Sequence, residues 1–188
     1  MVERRNTFFV LTGGPGSGKS TLIDALRQRG VATVAEAGRR IIQTQAAIGG
    51  TTLPWKKPLD YAKMDLGVGL VAYCEANPQQ LTIFDRGILD PMGFLTVIEQ
   101  DIPDFMHAAA LQYRYNPQVF IAPPWEEIYC RDSERKQDFS EASATYDAMV
   151  KVYGEAGYEL LELPRAPVTE RLAFVWNHMQ PLKLSGLP

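Results

Sequence analysis

The stretch Gly13-Gly14-Pro15-Gly16-Ser17-Gly18-Lys19-Ser20 decides the interpretation of this sequence. It matches the pattern G-x-x-x-x-G-K-[ST], and it lies between an apolar, β-rich run and a segment with helical spacing. Glycines at these positions let successive backbone N–H groups turn inward around phosphate oxygens. The positive N-terminal end of the following helix points at the same oxygens. The sequence therefore predicts a phosphate-binding loop from Gly13 to Thr21, called the phosphate loop below.

Two side chains of the phosphate loop have roles that follow from their chemistry. Lys19 can reach the β- and γ-phosphates of a nucleotide, and the hydroxyl group of Ser20 can ligate Mg²⁺. The alternative is a glycine-rich turn without a ligand, but a chance match in a chain of this composition has odds of about one per cent. We therefore expect the protein to bind a nucleoside triphosphate, with ATP and Mg²⁺ as the expected pair.

Short apolar runs alternate with segments of helical spacing along the chain, which predicts an α/β fold with a parallel sheet covered by helices on both faces. The predicted strands are 7–12, 31–35, 81–84, 118–122 and 158–163. The predicted helices are 20–28, 38–47, 58–76, 88–99 and 105–113. A sixth predicted helix is capped by Asp138, and its buried stripe consists of Ala142, Tyr146, Met149, Val150 and Tyr153. A seventh begins at Pro167. No linker divides the chain, so we expect one domain over residues 1–188.

The bulk composition excludes several other classes of protein. The chain has 188 residues and a net charge of −3, so no global basic field points to nucleic acid. No apolar run is long enough for a transmembrane helix, and the N-terminus lacks a signal-peptide pattern. The two cysteines, Cys74 and Cys130, form neither a disulfide framework nor a zinc site. We expect a cytoplasmic protein without a membrane partner, and the sequence leaves a monomer and a homodimer open.

Charged residues follow the second predicted strand, at the edge of the sheet where ligands bind in open parallel sheets. Glu36, Arg39 and Arg40 share one face if this stretch is helical. A carboxylate there can accept a proton from an attacking hydroxyl group. The arginines can hold a substrate or stabilise charge on a transferred phosphoryl group. The alternative is a surface ion-pair cluster, and the residues themselves leave both interpretations open.

The third predicted strand delivers Asp85 and Arg86 to the same edge. An aspartate at the end of an apolar strand is typical of a Walker B carboxylate, which holds Mg²⁺ directly or through water. Arg86 would then lie on the substrate side, with Asp90 as a candidate for a substrate hydroxyl group. The alternatives are a helix cap for Asp85 and an ordinary helix-surface position for Asp90.

An arginine-rich segment follows the fourth predicted strand. Arg131 and Arg135 are four residues apart and would share a helical face. A basic segment over about 125–140 that closes over phosphates would supply charge and exclude water, so we predict a lid there. The alternative is a solvated charged helix.

Together these motifs resemble the nucleoside and nucleotide kinase branch of P-loop proteins. More narrowly, the chain resembles the small bacterial AAA-type predicted ATPases, which are kinase-like and similar to the nicotinamide riboside kinase domain. The likeness is carried by the phosphate loop and by Glu36-Ala37-Gly38-Arg39-Arg40, Phe84-Asp85-Arg86-Gly87 and Arg131-Asp132-Ser133-Glu134-Arg135.

This resemblance implies an α/β fold of the P-loop NTPase type, a three-layer sandwich with a five-stranded parallel sheet that has the first strand at its centre. It also implies roles for the site residues: Lys19, Arg131 and Arg135 around the phosphates, Ser20 and Asp85 near Mg²⁺, Glu36 as base and Arg86 near the acceptor. It names no acceptor molecule.

The sequence supports one function above its alternatives. We expect a kinase that transfers a phosphoryl group from ATP to a small nucleoside-like or nucleotide-like acceptor. The alternative is a regulatory ATPase or switch without a small-molecule acceptor. A Ras-type GTPase would need an N-K-x-D motif, which is absent, and a ring-forming AAA+ motor would need adjacent Asp-Glu where this chain has Asp85-Arg86. A nucleic-acid end kinase is disfavoured by the acidic net charge.

Overall fold

The structure is a computed structural model that describes residues 2–129 and 139–179. The strands of these ranges are β1 (Glu3–Arg4), β2 (Phe8–Gly13), β3 (Ala32–Val34), β4 (Thr82–Asp85), β5 (Tyr113–Arg114), β6 (Gln118–Ala122) and β7 (Glu159–Glu162). The α-helices are α1 (Lys19–Gln28), α2 (Ala37–Ala47), α3 (Pro58–Glu75), α4 (Asp90–Val97), α5 (Asp104–Gln112), α6 (Phe139–Glu155) and α7 (Val168–Met179). A short 3₁₀ helix spans Glu126–Ile128.

The main sheet of the described ranges has five parallel strands in the order β3-β4-β2-β6-β7. The predicted α/β class, the five-stranded parallel sheet and the central position of the first of its strands are therefore confirmed. The register places Leu11 opposite Asp85 and Gly13 opposite Ala122. Because all five strands run in the same direction, their carboxyl ends meet at one edge, and the phosphate loop lies at the middle of that edge.

Two apolar layers cover the sheet. Side chains alternate along β2, so that Phe8 and Val10 pack on one face while Phe9 and Leu11 pack on the other. Helices α3, α4 and α6 cover the first of these faces, and helices α1 and α7 cover the second. This three-layer arrangement confirms the prediction that helices lie on both faces.

A second, two-stranded parallel sheet of β1 and β5 was not predicted. Tyr113 was predicted as the last residue of a helix, but α5 ends at Gln112 and Tyr113 pairs with Glu3. The hydroxyl group of Tyr73, on α3, donates to the carbonyl oxygen of Arg114 at 2.8 Å. Strands of two residues are too short for an alternating pattern, so local sequence does not reveal them.

The buried stripe of α6 differs from the prediction at Val150, which is exposed, and at Tyr146, which is only partly buried. Met149 and Tyr153 are buried, whereas Val150 is 38% exposed. Val150 follows Met149 by one residue, which rotates it by about 100° around the helix and turns it away from the sheet. Asp138, the predicted cap of this helix, lies outside the described residues. Within the described part of the chain, no helix combines the length and apolar character needed to cross a membrane.

Candidate active site

The phosphate loop connects β2 to α1, as the sequence predicts. Gly16 and Gly18 have φ values of 69° and 75°, in the left-handed region that favours glycine. Gly18 is the residue that precedes the first turn of α1. The ammonium group of Lys19 lies over the loop and donates to the carbonyl oxygens of Gly14 at 2.6 Å and Gly13 at 3.1 Å. The loop therefore wraps around a buried lysine at the N-terminus of a helix.

The surroundings of the loop leave little room for side chains. A Cβ atom at Gly14 would overlap the backbone carbonyl of Ala142 on α6. A Cβ atom at Gly18 would lie 2.6 Å from a guanidinium nitrogen of Arg171 on α7. Helices from both faces of the sheet thus hold the loop. Ser20 and Thr21 are exposed on the first turn of α1, while Pro15 and Ser17 are buried.

Asp85 ends β4 beside the phosphate loop, in register with Leu11. Its Oδ1 atom is buried and has no hydrogen-bond partner among the described residues. Burial, followed by the charge of Glu36, raises the pKa of Asp85, whereas the nearby Lys19 lowers it. The alternative role as a helix cap is wrong, because α4 begins five residues later and its N-cap residue is Leu89.

A cation would satisfy the unpaired oxygen of Asp85. Mg²⁺ is usually held by one or two protein ligands together with phosphate oxygens and water. Asp85 and the exposed hydroxyl group of Ser20 match that donor chemistry. The described residues contain no cluster of three or more His, Cys, Asp or Glu side chains that could hold a metal ion by themselves.

Arg86 joins two acidic residues at this edge of the sheet. Its Nε atom donates to Oε1 of Glu36 at 2.9 Å, and its Nη1 atom donates to Oδ1 of Asp90 at 3.0 Å. Burial alone would lower the pKa of Arg86, but the carboxylates of Glu36 and Asp90 outweigh it and raise the pKa. Arg86 has a φ value of 71°, which is uncommon for a residue with a side chain and is found where surrounding contacts impose it.

Asp90 is the most fully bonded carboxylate of the site. Its Oδ1 atom accepts from the hydroxyl group of Thr12 at 2.7 Å as well as from Arg86. Its Oδ2 atom accepts from the backbone N–H of Gly87 at 2.8 Å and from the hydroxyl group of Tyr153 at 2.7 Å. Asp90 is only 3% exposed, so the alternative of an ordinary surface position is wrong. Its predicted contact with a substrate hydroxyl group stays a prediction.

The three charged residues after β3 have different environments. Glu36 precedes the first residue of α2 and is partly buried in its ion pair with Arg86. Arg39 is partly buried on the first turn of α2, and Arg40 is exposed. The predicted helix is therefore present, and it brings Glu36 to the end of β4.

Sequence reasoning missed Asp65 and Tyr61, which lie four residues apart on α3. A Cβ atom at Gly38 of α2 would overlap the Tyr61 hydroxyl group and lie 3.7 Å from Oδ2 of Asp65, so the two helices approach closely here. Burial, with the charge of Asp90, raises the pKa of Asp65 to about 7, against the opposing effect of Arg86. The signal available in the sequence was that Asp65 lies directly before the apolar Leu66 within the predicted helix 58–76.

Arg131 and Arg135 lie outside the described residues. The chain between β6 and α6 is described up to Tyr129, through the 3₁₀ helix, and resumes at Phe139. The predicted lid over about 125–140 and the two arginine roles therefore stay predictions.

The central strand, the phosphate loop and an aspartate on the neighbouring strand define a P-loop fold. The chain belongs to a family of AAA domains, AAA_28, whose family model matches residues 8–171. No curated protein matches the chain.

Solved structures share the fold at low sequence identity. Deoxyadenosine kinase from M. mycoides, with dCMP and dCDP bound, is 13% identical and has a TM-score of 0.70. The match covers 93% of this chain and 99% of the chain of that kinase. Thymidylate kinase from Ehrlichia chaffeensis is 12% identical with a TM-score of 0.61, covering 93% and 98%. Shikimate kinase from Aquifex aeolicus is 18% identical with a TM-score of 0.54, covering 95% and 99%. The shared fold is thus one that several small-molecule kinases use over nearly their whole length.

Proposed function

We propose that the protein is a kinase that transfers the γ-phosphoryl group of ATP to a small nucleoside-like or nucleotide-like acceptor. The observation that carries this proposal is the Glu36–Arg86 ion pair at the edge of the sheet that also holds the phosphate loop. A nucleotide-binding loop alone would serve a switch or a kinase equally well. Arg86, which is partly buried, holds a carboxylate beside that loop, and a transfer to a hydroxyl group requires this additional group.

The donor side of the site is formed by the phosphate loop. The backbone N–H groups of the loop and the ammonium group of Lys19 would bind the β- and γ-phosphates. Ser20 and Asp85 would hold Mg²⁺, which neutralises phosphate charge and orients the oxygens when it is bound. Lys19 donates to the carbonyl oxygens of Gly13 and Gly14, so it is already positioned over the loop.

Glu36 is the proposed base on the acceptor side. The acceptor oxygen would form a bond to the γ-phosphorus while the bond between that phosphorus and the β,γ-bridging oxygen breaks. The proton of the acceptor hydroxyl group would pass to Glu36, and ADP would leave with the bridging oxygen. Arg86 keeps the Glu36 carboxylate oriented through the 2.9 Å bond from its Nε atom. With a phosphate acceptor no base is needed, and Glu36 would instead bind a sugar hydroxyl group.

The remaining predicted residues would support binding of the two substrates. Arg39 and Arg40 on the first turn of α2 would contact the acceptor, together with Arg86. Asp90 has protein donors on both oxygens, which favours a role in orienting Arg86 over direct contact with the acceptor. Arg131 and Arg135 would add positive charge at the phosphates from the proposed lid. A cytoplasmic location and a monomeric or homodimeric state also stay predictions.

Transfer of label tests the proposal. The protein is incubated with Mg²⁺ and γ-labelled ATP against nucleosides, nucleoside monophosphates and pyridine ribosides, with the Lys19→Ala and Glu36→Gln variants in parallel. We expect label on one acceptor, loss of that label in Lys19→Ala, and a decrease of about 100-fold or more in kcat for Glu36→Gln with a hydroxyl acceptor. ATP binding without label on any acceptor, across broader panels as well, would contradict the kinase proposal and favour a regulatory ATPase.

A further inference from the structure

The guanidinium group of Arg171, on α7, lies directly against the phosphate loop. Its Nη2 atom donates to the carbonyl oxygen of Ser17 at 2.9 Å, and its Nη1 atom lies 3.5 Å from the carbonyl oxygen of Gly18. The residue is only 4% exposed. Arg171 is 154 residues from Ser17 in the sequence, and no motif pointed to it.

The geometry of the peptide unit gives these contacts a consequence on the opposite side of the loop. In a trans peptide the C=O and N–H bonds point in opposite directions. The carbonyl group of Ser17 belongs to the same peptide unit as the N–H of Gly18, and the carbonyl group of Gly18 belongs to that of Lys19. The hydrogen bond to the Ser17 carbonyl oxygen therefore orients the N–H group of Gly18. The contact with the Gly18 carbonyl oxygen orients the N–H group of Lys19 together with the bond that this oxygen accepts from the N–H of Leu22 at 3.3 Å. Such bonds also polarise the peptide units and strengthen their N–H donors.

The charge of Arg171 has no anionic partner in the described part of the chain. Its hydrogen bonds go to backbone carbonyl oxygens, its Nε atom is buried without a partner, and its guanidinium carbon lies 6.0 Å from the centre of the Trp125 ring. Burial lowers the pKa of Arg171, and no carboxylate within residues 2–129 and 139–179 offsets this effect. An arginine nevertheless stays protonated in proteins, so a buried positive charge lies beside the phosphate loop.

A buried and unpaired charge weakens folding stability, because removing it from water costs free energy that only an anion restores fully. A nucleotide phosphate bound on the other side of two peptide units would bring such an anion close. The arrangement is therefore expected to favour the ligand-bound protein more than the ligand-free protein.

We propose that Arg171 is a positioning residue of the phosphate loop, which holds the N–H groups of Gly18 and Lys19 toward a bound phosphate chain. This inference rests on the phosphate-binding part of the proposed function and is independent of the acceptor. It predicts that Arg171 increases the affinity for every ligand that the loop binds through phosphate, whether or not the ligand carries a nucleotide base.

Binding and hydrogen exchange test this role in the full chain. Arg171→Met keeps the apolar stem and removes the charge, whereas Arg171→Lys keeps the charge and removes the planar guanidinium group. Arg165→Met is the control, because Arg165 is an exposed arginine three residues before α7. Dissociation constants for Mg-ATP and for Mg-tripolyphosphate are measured by calorimetry. Amide exchange across residues 13–21 is measured by mass spectrometry without ligand.

For Arg171→Met we expect binding about 10- to 100-fold weaker, to the same extent for both ligands, because charged hydrogen bonds that orient the loop are lost. Amide exchange should rise about 10-fold or more in the phosphate loop and stay unchanged in α7. Arg171→Lys should recover part of the affinity, and Arg165→Met should bind within about twofold of the unmodified protein.

Affinity within about twofold of the unmodified protein in Arg171→Met, with unchanged loop exchange, would overturn the proposal. Faster amide exchange along the whole of α7 in Arg171→Met would also overturn the proposal, since it would show that Arg171 only stabilises the fold. If Arg171→Met does not fold, Arg171→Lys decides by the same two measurements. If the unmodified protein binds neither ligand, the proposed function fails, and exchange in the ligand-free loop still decides whether Arg171 positions it.

Discussion

Arg86 and Glu36, separated by 50 positions in the sequence, form a 2.9 Å hydrogen-bonded ion pair at the edge of the sheet where the phosphate loop lies. The same guanidinium group is held from its other side by Asp90 at 3.0 Å. Only the two-armed geometry of arginine satisfies both contacts at once, because the Nε and Nη1 donors have fixed relative directions. The orientation of the proposed base thus depends on a residue that need not touch the phosphates.

Replacing Arg86 by lysine tests this dependence. Arg86→Lys keeps a positive charge but cannot bond both carboxylates in the same geometry, so Glu36 loses its fixed orientation. We expect kcat for phosphoryl transfer to decrease about 10- to 100-fold, with the dissociation constant for Mg-ATP changed by less than about threefold. Steady-state kinetics and calorimetry measure the two quantities. A decrease confined to ATP affinity would instead assign Arg86 to the donor side.

The exposed Arg29 is the control for this substitution. It follows the last residue of α1, at the opposite end of that helix from the phosphate loop. Arg29→Lys should leave kcat and the acceptor KM within about twofold, because an exposed guanidinium group away from the site contributes little.

The unpaired oxygen of Asp85 predicts a change in Mg²⁺ dependence. Asp85→Asn removes the carboxylate charge and keeps the shape, so we expect the Mg²⁺ concentration for half-maximal activity to rise about 10-fold or more. Titration of activity with Mg²⁺ at fixed ATP measures it. Chelation of Mg²⁺ should abolish transfer in the unmodified protein. An unchanged Mg²⁺ requirement in Asp85→Asn would contradict the metal role.

The four hydrogen bonds that Asp90 accepts predict a large loss of stability on substitution. In Asp90→Asn one acceptor oxygen becomes an amide that faces two donors, and Arg86 loses a charged partner. We expect the free energy of unfolding to decrease by about 3–5 kcal/mol, as for other buried pairs broken on one side. Urea unfolding measures this change.

The matched control is Asp147→Asn, on the exposed side of α6. It should change the free energy of unfolding by less than about 0.5 kcal/mol. Equal effects of the two substitutions would show that the network around Asp90 contributes nothing specific.

The raised pKa of Asp65 predicts how stability depends on pH. The pKa of Asp65 is about 7 in the folded protein, against an ordinary value of 3.8. Between these values the folded state binds more protons than the unfolded state, so this residue makes the protein less stable as pH rises from about 4 to about 7. Asp65→Asn removes the penalty. We expect it to stabilise the protein by about 4 kcal/mol at pH 8 and by less than about 1 kcal/mol at pH 4.

Urea unfolding of the ligand-free protein between pH 4 and pH 8 measures the difference between Asp65→Asn and the unmodified protein. Asp60→Asn, at an exposed position on the first turn of α3, is the control and should leave the pH profile unchanged. A constant difference across this pH range would show that Asp65 does not titrate in it.

Local sequence predicted the features that are encoded by residues adjacent in the chain. The phosphate loop consists of adjacent residues, and its glycines and lysine have the same roles wherever a strand leads into a helix. The alternation of apolar runs with helical spacing likewise predicted the α/β class and the order of the main elements. The position of Asp85 at the end of β4 followed from the same pattern.

Tertiary structure alone decided which distant side chains meet. Asp90 is predicted locally as a surface or ligand-binding residue, yet packing of α4 against β2 and α6 buries it between Thr12 and Tyr153. Asp65 acquires its raised pKa from burial and from charges on other elements. Arg171 reaches Ser17 only because α7 packs beside α1 on the same face of the sheet. A sequence pattern specifies the period of each element, whereas these contacts depend on how completed elements pack, and that information is spread over the whole chain.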